Sequence, residues 1–112
     1  MKNIILYTSL LLLSLSACKN VAVNKQSDLQ VWGNCNMCKK TIESSLDVAG
    51  IDKADWNKDT KILHVAYDST IVNLTGIEQL IAKAGYDTEN QIADQAAYDG
   101  LHECCKYDRK AE

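Results

Sequence analysis

The sequence predicts a small α+β domain with element order strand, helix, strand, strand, helix, strand. Such an order folds as a ferredoxin-like βαββαβ sandwich, with an antiparallel four-stranded sheet and two helices on one face, here followed by a short C-terminal extension. Three observations carry the prediction. Two segments repeat apolar residues at three- and four-residue spacing and each ends at glycine; two alternating runs are joined by the turn "NKDT"; and about 95 residues follow an N-terminal export signal, room for one domain and too few for two.

Taken in order, residues 29–32, "LQVW", alternate and stop at Gly33, as a short strand does. After Cys38, Ile42 and Leu46 recur every four residues among lysine, glutamate and serine, so one helical face is apolar until Gly50. "IDKADWN" sets Ile51, Ala54 and Trp56 among charges. "KILHVAY" alternates Leu63, Val65 and Tyr67 with Ile62, His64 and Ala66, which turns His64 toward solvent. Leu74, Ile77, Leu80, Ile81 and Ala84 mark the second helix, ended by Gly85, and a weaker strand near Thr88 to Ile92 closes the domain. Following the chain up and down this order brings the cysteine loop at 35–38 and the turn "AGYD" to the same end, so Tyr86 should lie near Cys35 and Cys38. Trp32 and Trp56 read as shielding or core residues, and Asp87, Glu89, Asp94 and Asp99 as a solvated acidic face.

Four stretches follow. Residues 1–17 combine a short basic start with an apolar run too short for a comfortable membrane span, and "LSAC" comes next. Leu15-Ser16-Ala17-Cys18 resembles the lipobox of bacterial lipoproteins, which implies cleavage before Cys18, a diacylglycerol on its thiol, and a protein exported and lipid-anchored in the cell envelope. Residues 18–27 read as a lipid-anchored linker, 28–92 as the domain, and 93–112 as a Cys/His-containing extension. Without Lys2, eleven basic residues face fifteen acidic ones, a net charge of −4, so no basic patch for nucleic acid is expected. No nucleophile–base pair or carboxylate pair stands at a meaningful spacing, so the chain is not expected to be an enzyme.

The chemistry lies in "NCNMCKK". Cysteines at a helix start meet unpaired backbone N–H groups and the positive end of the helix dipole, which favours thiolate, the form that binds metal. Soft Cu(I) or Hg(II) is satisfied by the two sulfurs of Cys35 and Cys38, whereas Zn(II) wants four ligands. A structural disulfide, half of a structural zinc site, and a thiol–disulfide module with Cys104-Cys105 as electron relay are the competing readings. Against the redox module, the chain contains no proline, so it cannot set a cis-proline against its cysteines as thioredoxin-like folds generally do. Met37 could lend a thioether, although packing is the plainer role.

With Cys35-Asn36-Met37-Cys38 after a first strand, the helix "KKTIESSL", the strand pair around "ADWNKDTKILHVAY" and the late "IAKAGYD", the segment 28–92 resembles the heavy-metal-associated domains of copper chaperones, copper-pump amino-terminal repeats and periplasmic mercury-binding proteins. It departs from them before the first cysteine, where the family usually carries Met-Thr and this chain has Gly33-Asn34. The resemblance implies a metal carrier, buffer or sensor with Cu(I) as cargo, Hg(II) or Zn(II) as alternatives, and a metal transporter or another metal-binding domain as partner.

Beyond that segment, "LHECCKYDR" supplies His102, Cys104 and Cys105. Residues 93–101 span up to about 30 Å extended or about 13 Å as helix, enough to recross strands roughly 17 Å long. The tail can therefore reach the loop, either to add ligands to the site or to oxidise onto it.

Overall fold

The computed structural model describes residues 24–110. The segment read as an export signal, and Cys18, lie outside them. Strand β1 (Asn24–Gln30) leads through the cysteine loop into helix α1 (Asn36–Ser45); β2 (Ile51–Trp56) and β3 (Ile62–Asp68) form a hairpin; α2 (Leu74–Lys83) and a short α3 (Gln95–Asp99) follow, then a 3-10 turn over Glu103–Cys105. The sheet is antiparallel with order β1-β3-β2, so β3 is its centre and Leu63 sits between Leu29 and Trp56. Alternation along β3 sends Leu63, Val65 and Tyr67 into the core and leaves His64 exposed against Asp28, as its period-two pattern requires. Cys38 and Ile42 of α1, and Leu46 just after it, join Ile77 and Ile81 of α2 in the same core.

Two expectations are corrected. β1 begins at Asn24, inside the segment read as linker: "NKQSD" is polar on both faces, and its place is set by backbone pairing with β3, Asn24 opposite Asp68 through Gln30 opposite Ile62. The fourth strand shrinks to a single bridge between Val31 and Thr88, leaving three strands among the described residues. After Thr88 the chain turns. The Thr88 N–H donates to the Gln91 carbonyl, the buried Glu78 carboxylate accepts from Thr88 Oγ1 and Asn90 Nδ2, and Lys110 Nζ donates to the Thr88 and Glu89 carbonyls. Carbonyls that a ladder would use are thus held by side chains.

Nor does the core stop at residue 92. Tyr107 is buried, its ring stacked on Tyr86 at 5.4 Å and met edge-on by Tyr98 at 5.1 Å. Its hydroxyl donates to the Gly85 carbonyl and accepts from the Asp87 N–H, at 2.8 and 2.9 Å. Gly85 has φ of 104°, and a Cβ there would lie 3.0 Å from the Ala97 carbonyl carbon, so this turn both needs the left-handed region and lets α3 come close. Asp87, expected on a solvated acidic face, is buried and gripped by Arg109 at 2.7 and 2.9 Å and by the N–H groups of Ala93 and Lys110. Asp94 caps α3 by accepting from the Ala97 N–H.

Candidate metal centre

Cys35 occupies the N-cap position of α1 in extended conformation, and Cys38 lies in the first turn. Their sulfurs are 3.7 Å apart. The Asn34 side chain accepts from Cys38 Sγ at 3.0 Å while the Asn34 N–H points back at the same sulfur, 3.5 Å away, so the loop residue before the first cysteine positions the second. Gly33 is buried, and a Cβ on it would meet the Trp56 ring at 2.9 Å. The indole therefore fills the space where a side chain at residue 33 would stand, anchored by its Nε1–H to the Val31 carbonyl.

The tail arrives from the other side. The 3-10 turn puts Cys105 Sγ beside the loop, and the sulfurs of Cys35, Cys38 and Cys105 all lie within 4.8 Å of one another. All four described cysteines are free thiols. Cys38 and Cys105 are buried and Cys35 half-buried, so the trio opens to solvent on the Cys35 side. Among the described residues neither His102 nor any carboxylate joins it: His102 is exposed and contributes only its carbonyl, which accepts from the Cys105 N–H. Cys104 is exposed, its carbonyl 3.4 Å from Cys35 Sγ and its own sulfur directed at Met37.

The three thiols are not equivalent. A backbone N–H from Cys38 holds Cys35 below the ordinary thiol range despite the burial that opposes it, with further help from the Cys38 side chain and the Met37 N–H. Burial pushes Cys105 up to about 12, and its neighbour Cys38 adds to the rise. Cys35 is therefore held toward thiolate, and a cation drawing in Cys105 must release its proton. Tyr86 lies against Cys38, as the topology required. Burial and then the Cys38 charge raise its phenol well above the usual range, and its buried hydroxyl has no hydrogen-bond partner among the described residues.

With metal–sulfur bonds of about 2.3 Å, sulfurs around a planar three-coordinate cation stand about 4.0 Å apart and those of a linear pair about 4.6 Å apart. The separation of 3.7 Å between Cys35 and Cys38 is shorter than a linear pair needs and close to both the planar three-sulfur spacing and the roughly 3.8 Å edge of a four-sulfur tetrahedron. A fourth ligand for tetrahedral coordination is not supplied by His, Asp or Glu among the described residues.

This geometry has relatives among solved structures. A CopZ metallochaperone is 33% identical over 57% of this chain and 98% of its own, with a TM-score of 0.55. The chain belongs to the heavy-metal-associated domain family. A putative copper-ion-binding protein from Bacillus anthracis matches this family member at 31% identity over 61% of this chain and 99% of its own, TM-score 0.58. The N-terminal soluble domains of Bacillus subtilis CopA match at 31% identity over 59% and 46%, TM-score 0.56. No family model and no curated protein matches the chain.

The sequence singles out Cys35 and Cys38, with His102, Cys104 and Cys105 as further candidates; of those three only Cys105 is brought to the pair, by contacts the sequence does not announce. Asp87, Tyr107 and Arg109 pin the tail, and the one sequence signal was the run of aromatic and basic residues "KYDRK" directly after the cysteine pair.

Proposed function

We propose that the chain is an exported, membrane-tethered carrier or buffer of a soft cation, with Cu(I) as cargo held by Cys35, Cys38 and Cys105. The observation that carries this reading is the convergence of three free thiols within 4.8 Å on a heavy-metal-associated fold. Thiolates select soft ions, and three of them at this spacing suit Cu(I), with Hg(II) served by the same donors and Zn(II) left one ligand short. Once Cys38 is a metal-bound thiolate, the Tyr86 hydroxyl has an acceptor beside it. Cys35, at the open side, is where a partner's thiolates can enter, which suits hand-over to a metal transporter or to another metal-binding domain; the similarity to a metallochaperone and to a putative copper-ion-binding protein supports the same direction.

The third ligand is tested by Cys105→Ser in an anaerobic Cu(I) titration against a competing chelator. The variant is expected to bind at least about tenfold more weakly and to lose the ion faster to a small thiol, since one of three sulfurs is gone. Equal affinity and equal release would reduce the site to the two loop cysteines.

The tether rests on "LSAC" alone. Cys18→Ala is expected to shift the protein out of the detergent-extracted membrane fraction and to abolish labelling with a fatty-acid probe. Unchanged labelling would remove the lipoprotein reading without touching the metal site.

A further inference from the structure

We propose that the surface beside this centre holds a second soft cation, bound by Cys104 and Met37 and sharing the Cys105 sulfur with the first; the idea rests on the three-thiolate reading above. Met37 lies in the first turn of α1, off the apolar face made by Cys38, Ile42 and Leu46, and is 45% exposed, so core packing does not account for it. Its thioether instead meets the tail: Cys104 Sγ lies 3.3 Å from Met37 Sδ, across 67 residues of sequence. Cys104 Sγ is also 3.9 Å from Cys105 Sγ, and both thiols are free.

Five sulfurs therefore form one continuous run, from Cys38 at the buried end through Cys35 and Cys105 to Cys104 and Met37 at the surface. A thiolate sulfur has lone pairs enough to bridge two cations, and Cys105 stands where both groups meet. Of the outer separations, 3.9 Å matches the roughly 4.0 Å expected around a three-coordinate ion with bonds of about 2.3 Å, and the 3.3 Å contact reaches it when the exposed Met37 thioether moves outward by about 0.7 Å. Two thiolates and a neutral thioether are soft donors, which directs the position to Cu(I) rather than to Mg(II) or Ca(II). On binding, the Cys104 thiol gives its proton to solvent and the cation keeps its oxidation state.

The test uses the full chain, reduced, anaerobic and in detergent, titrated with Cu(I) against a competing chelator and read by native mass spectrometry. Monomers are expected to carry two ions. Cys104→Ser should carry one, and Met37→Leu, which keeps the volume, should hold the second at least about tenfold more weakly, while the first ion's affinity is unchanged in both. Both side chains are exposed, so circular dichroism should show the fold unaltered. Saturation at one ion per chain overturns the proposal. So does a second ion that survives both substitutions or that appears only in dimers. Absence of even the first ion would instead overturn the function proposed above, and this inference with it.

Discussion

Replacing both loop cysteines, Cys35→Ser with Cys38→Ser, is expected to eliminate retention of Cu(I) against a competing chelator. Two of three inner sulfurs would be gone, and the one left, Cys105, is the thiol least willing to lose its proton. A hydroxyl is a poor substitute, being a hard donor that keeps its proton at neutral pH. The structure adds a cost that an exposed loop would not carry. Cys38 is fully buried, so its serine places a more polar group in the core, although Asn34 Oδ1 remains in reach to accept from it. A stability loss of about 1 kcal/mol is expected, with the fold retained. Wild-type affinity in the double variant would refute the metal centre. A thiol–disulfide module would behave differently: the wild-type chain would oxidise or reduce a partner disulfide at a measurable rate, and the same double variant would abolish that rate.

How much of this was legible in the sequence follows from the range of the interactions involved. β3 could be read because period-two burial is local, and Leu63, Val65 and Tyr67 write it out residue by residue. Tyr86 beside Cys38 could be read from topology, which needs only the order and direction of elements. What could not be read depends on partners distant in sequence. Residues 24–27 form strand because β3 offers a ladder, and Thr88 to Gln91 fail to form one because the Thr88 N–H turns back to the Gln91 carbonyl and Lys110 takes the Thr88 and Glu89 carbonyls. Asp87 looks like any surface carboxylate until Arg109 is placed against it, 22 residues on. Gly33 shows its reason only in three dimensions, where Trp56 occupies its side-chain space.

Cutting the chain after Gly100 is expected to unfold most of the domain rather than merely strip a ligand. The cut removes Tyr107 from the stack on Tyr86, takes both of its hydroxyl hydrogen bonds from Gly85 and Asp87, and leaves the buried Asp87 carboxylate without Arg109. An aromatic truncation in a core costs about 3–5 kcal/mol, and removing one partner of a buried ion pair costs a similar amount. Together these rival the whole stability of a domain this size, about 5–10 kcal/mol. The single substitution Tyr107→Ala isolates the first part and should lower the thermal midpoint by roughly 15–30 °C. Acid supplies an independent check on the second. Burial alone would raise the Asp87 carboxyl, but Arg109 and the N–H groups of Ala93 and Lys110 outweigh it and hold the group below its ordinary value of 3.8. The stability it lends is therefore complete above that value and is lost as pH falls through the lower, folded-state value. Wild-type protein should show this acid-limited loss, and Asp87→Asn, already without the clamp, should be less stable at neutral pH and lack that component of the acid slope. A truncated chain that kept its cooperative unfolding transition, or an Asp87→Asn variant as stable as wild type at pH 7, would show that the tail only rests on the domain and that Cys105 is held at the metal centre by something other than this clamp.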